Sequence, residues 1–148
     1  MTAPAAASQI VTFRLGDELF ATELRAVEEA VDGIDVQSIP DAPPGMLGIF
    51  ALRDKTLPMY RLAHVLGLER GDPGMTLVIR PSVARIALAV DAVDDVFDAV
   101  LDAIRPAPPP DGDGMVLGVV WRGEELITLL DADAIVSACL AAGPPDSL

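Results

Sequence analysis

Apolar and polar residues alternate along residues 10–16, with Val11, Phe13 and Leu15 on one face and Thr12 and Arg14 on the other. A period of two predicts a half-buried strand. Gly16-Asp17-Glu18 supplies a tight turn, and residues 19–24 return as the second strand of a hairpin. Residues 25–31 place Val27, Ala30 and Val31 against the polar Glu28 and Glu29, which fits either a helical turn or a third strand. Gly33 ends that piece, residues 34–39 form another short extended segment, and Pro40, Pro43, Pro44 and Gly45 make an irregular loop.

Residues 48–62 then carry two apolar runs of strand length, joined by the charged tip Arg53-Asp54-Lys55. Residues 62–68 follow as a short helix, with Leu62, Val65 and Leu66 at helical spacing and Gly67 suited to a left-handed C-terminal position. Residues 76–80 predict a strand, Pro81-Ser82 a turn, and residues 86–90 a strand with Ile86, Leu88 and Val90 on one face and Ala87 and Ala89 on the other. The small residues imply a second face that is also closely covered. Residues 93–100 predict a strand interrupted by acids. Residues 105–113 hold Pro106, Pro108, Pro109 and Pro110, which exclude helix and central strand and leave a stiff connection.

Residues 115–121 and 125–130 form a last hairpin around Arg122-Gly123-Glu124. Asp131 is placed to cap a helix over 132–142, whose apolar stripe is Ile135, Val136, Cys139 and Leu140. Cys139 is the sole cysteine and reads as a small core residue. Nine or ten short strands with two or three short helices predict a mainly β fold of barrels or a sandwich. A faint internal echo points to two similar halves. Residues 15–20 resemble 122–127, and the strand and helix of 57–66 resemble 126–136.

The chain has 148 residues, enough for one domain or two small subdomains sharing a core, and 51% of them are apolar. Residues 1–8 lack a basic region and a long apolar run, so they read as a disordered lead-in rather than a signal peptide, and 143–148 as a frayed tail. Residence in the cytoplasm follows. The net charge of −13 argues against nucleic acid and anionic lipid, and no apolar run is long enough for membrane insertion.

Catalytic chemistry finds little to work with. His64 is the one histidine, and neither a second histidine nor a second cysteine exists to complete a metal site with it. There is no nucleophile elbow and no phosphate-cradling glycine loop. Asp111-Gly112-Asp113-Gly114 fails the spacing of a calcium loop. Asp91, Asp94, Asp95 and Asp98 are either a solvated strand face or a site for a divalent cation. This inventory points to a binding module without enzymatic activity or cofactor.

The order of motifs resembles the CheW family, the coupling proteins of bacterial chemotaxis. Its pattern opens with a strand ending Leu-Gly-Asp/Glu-Glu, then Val-x-Glu-Ile/Val, then Gly-x-x-Asn-Leu-Arg-Gly-x-x-x-Pro-Val-x-Asp-Leu, then Ile-x-Pro-x-Pro. The corresponding residues are Leu15-Gly16-Asp17-Glu18, Val27-Glu28-Glu29-Ala30-Val31, Gly48 through Leu62, and Ile104-Arg105-Pro106-Ala107-Pro108. The resemblance spans about residues 9–140, within a domain read as residues 9–142. It implies two interleaved five-stranded β-barrels of the SH3-like kind on a shared core. It also implies a non-catalytic adaptor that joins chemoreceptor signalling tips to the histidine kinase CheA at membrane-associated receptor arrays. The receptor-contacting residues it implies are Arg53 and Glu29, with Val27, Leu52 and Leu57 as the apolar groove, and the kinase contact falls broadly within 76–100. The departures that bear on the tip are Ala51 for asparagine, Asp54 for the glycine after the arginine, and Arg61 for aspartate. Asp54 sets a carboxylate beside Arg53 where a glycine would admit a positive φ. The alternative reading is an acidic β-barrel interaction module of another signalling complex.

Overall fold

A computed structural model describes residues 7–53, 55–68, 71–80, 84–100 and 114–141. The proline-rich connection, Pro81-Ser82, Asp54, Leu101–Ile104 and the tail expected after residue 142 lie outside these residues. The elements are β1 (Ala7–Leu15), β2 (Glu18–Glu23), a 3-10 turn (Leu24–Ala26), β3 (Val27–Asp32), β4 (Val36–Gln37), β5 (Met46–Leu52), β6 (Lys55–Arg61), α1 (Leu62–Val65), β7 (Met75–Ile79), β8 (Ile86–Val90), β9 (Ala92–Val100), β10 (Val116–Arg122), β11 (Glu125–Leu130) and α2 (Ala132–Ala141). The chain is mainly β, as its alternation predicts. The ambiguous stretch 25–31 is both things in turn, a single helical turn and then a strand. β1 begins at Ala7, inside the expected lead-in, because Ala7 and Ser8 find cross-strand partners in Val100 and Ala99.

The strands form two sheets, ordered β10-β11-β2-β1-β9 and β3-β7-β8-β6-β5-β4. Read from the other edge and without the two-residue β4, the second sheet runs β5-β6-β8-β7-β3. Its pairings then match the first sheet one for one. Each has an antiparallel hairpin, a three-residue parallel ladder, a second hairpin and an outer antiparallel strand. The parallel ladders are Ile127–Leu129 on Leu19–Ala21 and Met59–Arg61 on Ala87–Ala89. The halves of the chain therefore exchange strands. β3 follows β2 but joins β7 in the second sheet, and β9 follows β8 but joins β1 in the first.

The duplication extends to irregularities. Both β5–β6 and β10–β11 shift register at a Leu-Gly pair, Leu47-Gly48 in one and Leu117-Gly118 in the other. Gly48 has φ +145, and a Cβ there would lie 2.1 Å from the carbonyl oxygen of Gln37, so only glycine lets β4 close on the bulge. Each hairpin then feeds a helix, β6 into α1 and β11 into α2. The echo of 57–66 in 126–136 is thus a true structural correspondence. The echo of 15–20 in 122–127 is not, since both segments are hairpins of the same sheet.

Three apolar clusters organise the interior. Ile10, Leu19, Ala21, Val120, Ile127 and Leu129 fill the first sheet, and Phe50, Leu52, Leu57, Met59, Val78, Ala87 and Ala89 fill the second. The largest lies between the sheets and includes Phe13, Phe20, Tyr60, Leu62, Leu77, Leu88, Ile135, Val136 and Cys139. β8 is buried on both faces, as Ile86, Leu88 and Val90 enter the shared core and the alanines enter the second sheet's interior. Cys139 sits in the shared core, where burial pushes its thiol up to about 12. Asp131 caps α2 as its position predicts, its Oδ1 accepting from the backbone N–H of Asp133 at 3.0 Å and of Ala134 at 3.3 Å.

Asp91 fastens the junction where the chain passes between sheets. Its Oδ2 accepts the backbone N–H of Gly16 at 2.8 Å and of Asp72 at 3.0 Å. Hydrogen bonds to a charged acceptor contribute more than neutral ones. An Asp91→Ala variant is therefore expected to lose about 2 kcal/mol in urea unfolding, whereas Asp91→Asn, which keeps an acceptor oxygen, recovers most of that loss.

Candidate functional site

The tip between β5 and β6 is built as a two-residue turn, with Leu52 paired to Lys55 across it. Its first residue, Arg53, has φ +57, a left-handed conformation that costs an L-residue roughly 1–2 kcal/mol. The equivalent position in the β10–β11 hairpin is Gly123, at φ +63. One half of the duplication thus meets the demand of the turn with glycine, and the other keeps a strained arginine. Strain held at one residue marks a position where the side chain matters more than the backbone's comfort.

The Arg53 guanidinium is 66% exposed and donates from its Nη2 to Oε1 of Glu29 at 2.9 Å; the Glu29 side chain is 29% exposed. The two expected site residues, on segments far apart in sequence, are thus one ion pair. β3 is the outermost strand of its sheet, and β6 and β5 lie three and four strands away. With strands spaced about 4.8 Å apart, a flat sheet would hold these residues well over 10 Å apart. The pair therefore reports that the sheet rolls until its β3 edge approaches the β5–β6 tip. Val31 and Val36, packed against the same apolar cluster, agree. Arg53 finds its partner in Glu29, and the left-handed residue of the turn is the arginine itself.

The other expected residues divide. Val27 is half-buried at the start of β3 and packs on the shared core. A cleft of about 580 Å³ lies where both sheets and the start of α2 converge, lined by Glu23, Arg25, Ala26, Arg80, Asp131 and Asp133; Val27 is not among its lining residues. Leu52 and Leu57 are buried in the second sheet's interior, so they do not line an open groove. Alternation places them on the inner face because the sheet rolls around them; their work is to hold the Arg53 turn from below. Arg61 is turned toward the loop before β7, its Nη2 donating to the Gly71 carbonyl at 3.1 Å.

The acidic run does not converge. Asp91 serves two backbone amides, Asp94 accepts from Nη2 of Arg122 at 2.9 Å, and Asp95 Oδ1 accepts its own neighbour's Val96 N–H at 2.7 Å. Among the described residues no group of His, Cys, Asp and Glu side chains is arranged to hold a metal ion. Among the described residues no helix is long and apolar enough to cross a membrane.

Arg122 and Asp94 do for the first sheet what Arg53 and Glu29 do for the second. They bridge β10 and β9, its two outermost strands, and Arg14 and Glu125 stand beside them at 4.0 and 2.7 Å from the respective partners. The hydrogen bond from Arg122 holds the Asp94 carboxyl below its ordinary range, assisted by the charges of Arg122 and Arg14. A depressed carboxylate contributes stability that is complete above its unfolded value and vanishes as pH falls through the folded one. The stability gap between the wild type and Asp94→Asn is expected to be about 1 kcal/mol at neutral pH and to close below roughly pH 4. Urea midpoints for both proteins across that range check it.

The profile of the CheW-like domain matches residues 9–139. A probable chemotaxis protein CheW of Rhizobium etli is 30% identical over 135 residues, covering 87% of each chain. The chemotaxis protein CheW of Treponema pallidum is 29% identical over 141 residues, 88% of this chain and 82% of its own. Among solved structures, the scaffolding protein TtCheW of Thermoanaerobacter tengcongensis superposes with a TM-score of 0.77 at 25% identity, covering 85% of this chain and 90% of that one.

Proposed function

Since the chain belongs to the CheW-like domain family, we propose that it is a non-catalytic adaptor coupling chemoreceptor signalling tips to a CheA-type histidine kinase, held at receptor arrays on the cytoplasmic side. The observation that carries the receptor side is the Arg53–Glu29 pair. It sets an exposed cation, in a conformation that costs energy, next to a half-buried carboxylate at the lip of the second sheet. Val27, half-buried two residues before Glu29 on β3, is the apolar candidate that remains beside it. A partner that docks here would have to present a carboxylate to Arg53 and an apolar side chain to Val27.

The kinase contact assigned to residues 76–100 has little room on β7 and β8, which are almost wholly buried. It falls instead on the exposed side chains of β9, with Asp95, Val96 and Asp98 available. Sedimentation velocity of the protein with a purified CheA regulatory domain, and separately with a receptor tip fragment, tests the reading. A stable complex with each is expected. A folded protein that binds neither overturns it.

A further inference from the structure

The outward face of β10 and β11 belongs to neither surface. Along β10 the side chains turned away from the interior are Leu117, Val119 and Trp121, and Leu126 is the cross-strand partner of Trp121 on β11. Trp121 is 59% exposed, Leu126 46% and Leu117 45%. Large apolar side chains gathered on one sheet face mark an interaction surface, and tryptophan is the residue type most enriched where such surfaces bind. The corresponding face of the other hairpin carries Ala51 and Thr56 where this one has Trp121 and Leu126. The duplication shows that the fold does not require the large residues; the first sheet alone displays them.

The chemistry around the patch names the occupant. Beside Leu126 and Thr128 runs a groove of about 330 Å³ lined by Asp17, Glu18 and Glu125, with Arg14 as its one cation. Arg14 is itself within 4.0 Å of both Asp94 and Glu125. The rim is acidic, on a chain of net charge −13. Two copies of this face would bring like charges together, which opposes self-association. We propose that this face docks an amphipathic protein helix with an apolar ridge flanked by Lys or Arg. The ridge lies on Leu117, Trp121 and Leu126, which span four strand positions or about 13 Å, roughly two and a half turns of helix. The flanking cations enter the groove of Asp17, Glu18 and Glu125.

Trp121 is the only tryptophan, so its emission reports this face and nothing else. The probe is a synthetic helical peptide of leucine and lysine in amphipathic register, compared with its leucine–glutamate twin and with a lysine–serine peptide lacking the ridge. A saturable blue shift is expected with the leucine–lysine peptide alone. Leu126→Ser is expected to weaken it by roughly tenfold or more, as is Asp17→Lys with Glu18→Lys, while Arg53→Glu leaves it unchanged. The proposal is overturned by no shift, by an equal shift with the glutamate twin, or by binding that survives Leu126→Ser. It is equally overturned if emission shifts with protein concentration alone and sedimentation shows a dimer, since the face then belongs to a second copy. Because the readout is independent of the Arg53 surface, its failure leaves the adaptor reading standing.

Discussion

An Arg53→Glu variant is expected to fold normally and to lose receptor coupling altogether. The structural side of the expectation is small. An exposed ion pair contributes about 0.2–1 kcal/mol, and reversing the charge also sets two carboxylates side by side, so a loss of about 1 kcal/mol is the ceiling. The functional side is large, because a partner surface that meets Arg53 and Glu29 reads both a cation and its placement. Arg53→Gly separates the two. It relieves the left-handed backbone at φ +57, and so should raise the urea midpoint slightly despite losing the pair, yet it should abolish coupling just as fully. The charge-swapped double variant, Arg53→Glu with Glu29→Arg, restores a pair without restoring the cation's position. It should remain uncoupled. Binding to a receptor tip fragment, measured beside thermal stability, checks all three. Retained binding in Arg53→Glu would remove the pair from the interface, and a large stability loss would make it a structural tie.

How much of this was legible in the sequence differs between elements. Local alternation was enough for the hairpins, for the doubly covered strand over Ile86–Val90, for the Asp131 cap and for the burial of Cys139. Each depends on neighbours a few residues away. The resemblance implied interleaved barrels, but alternation did not show which strands exchange, because a strand with the right alternation can join either sheet and the partners of β3 and β9 lie far along the chain. The same blindness misplaced Leu52 and Leu57. Their alternation says only that one face is apolar, and the rolling of the sheet decides that this face is the inside. It also hid Trp121 and Leu126, which read as ordinary strand residues until the register turned them outward. One signal could have helped. Leu47-Gly48 and Leu117-Gly118 open two hairpins with matching spacing to a strand and a helix, and aligning them exposes both the duplication and the contrast of Arg53 with Gly123. The acidic run misled in a different way. It looks like one cluster, but Asp91 serves the Gly16 and Asp72 amides while Asp94 and Asp95 lie against Arg122, so the carboxylates are taken up by donors rather than gathered around a cation.

Strand exchange makes a strong prediction about Phe13. Its ring is buried in the core between the sheets and stacks on Phe20 at a centroid distance of 6.3 Å. Phe13→Ala is expected to cost about 3–5 kcal/mol, from lost burial together with the cavity left behind. For a domain of this size that is a large part of the roughly 5–15 kcal/mol available. Were the two sheets independent units joined at a surface, the damage would fall on the first sheet and unfolding would split into two steps. The topology forbids that. β9 supplies an edge of the first sheet while its neighbour β8 is central to the second, and β3 and β2 stand in the converse relation. Neither sheet can be completed by one half of the chain. Urea unfolding of Phe13→Ala is therefore expected to stay a single transition, shifted to a much lower midpoint. Trp121 emission reports the first sheet, far-UV circular dichroism reports both, and the two curves should coincide. Separation of the curves, with Trp121 released before the bulk of the strands, would show that the halves hold together independently despite their exchange.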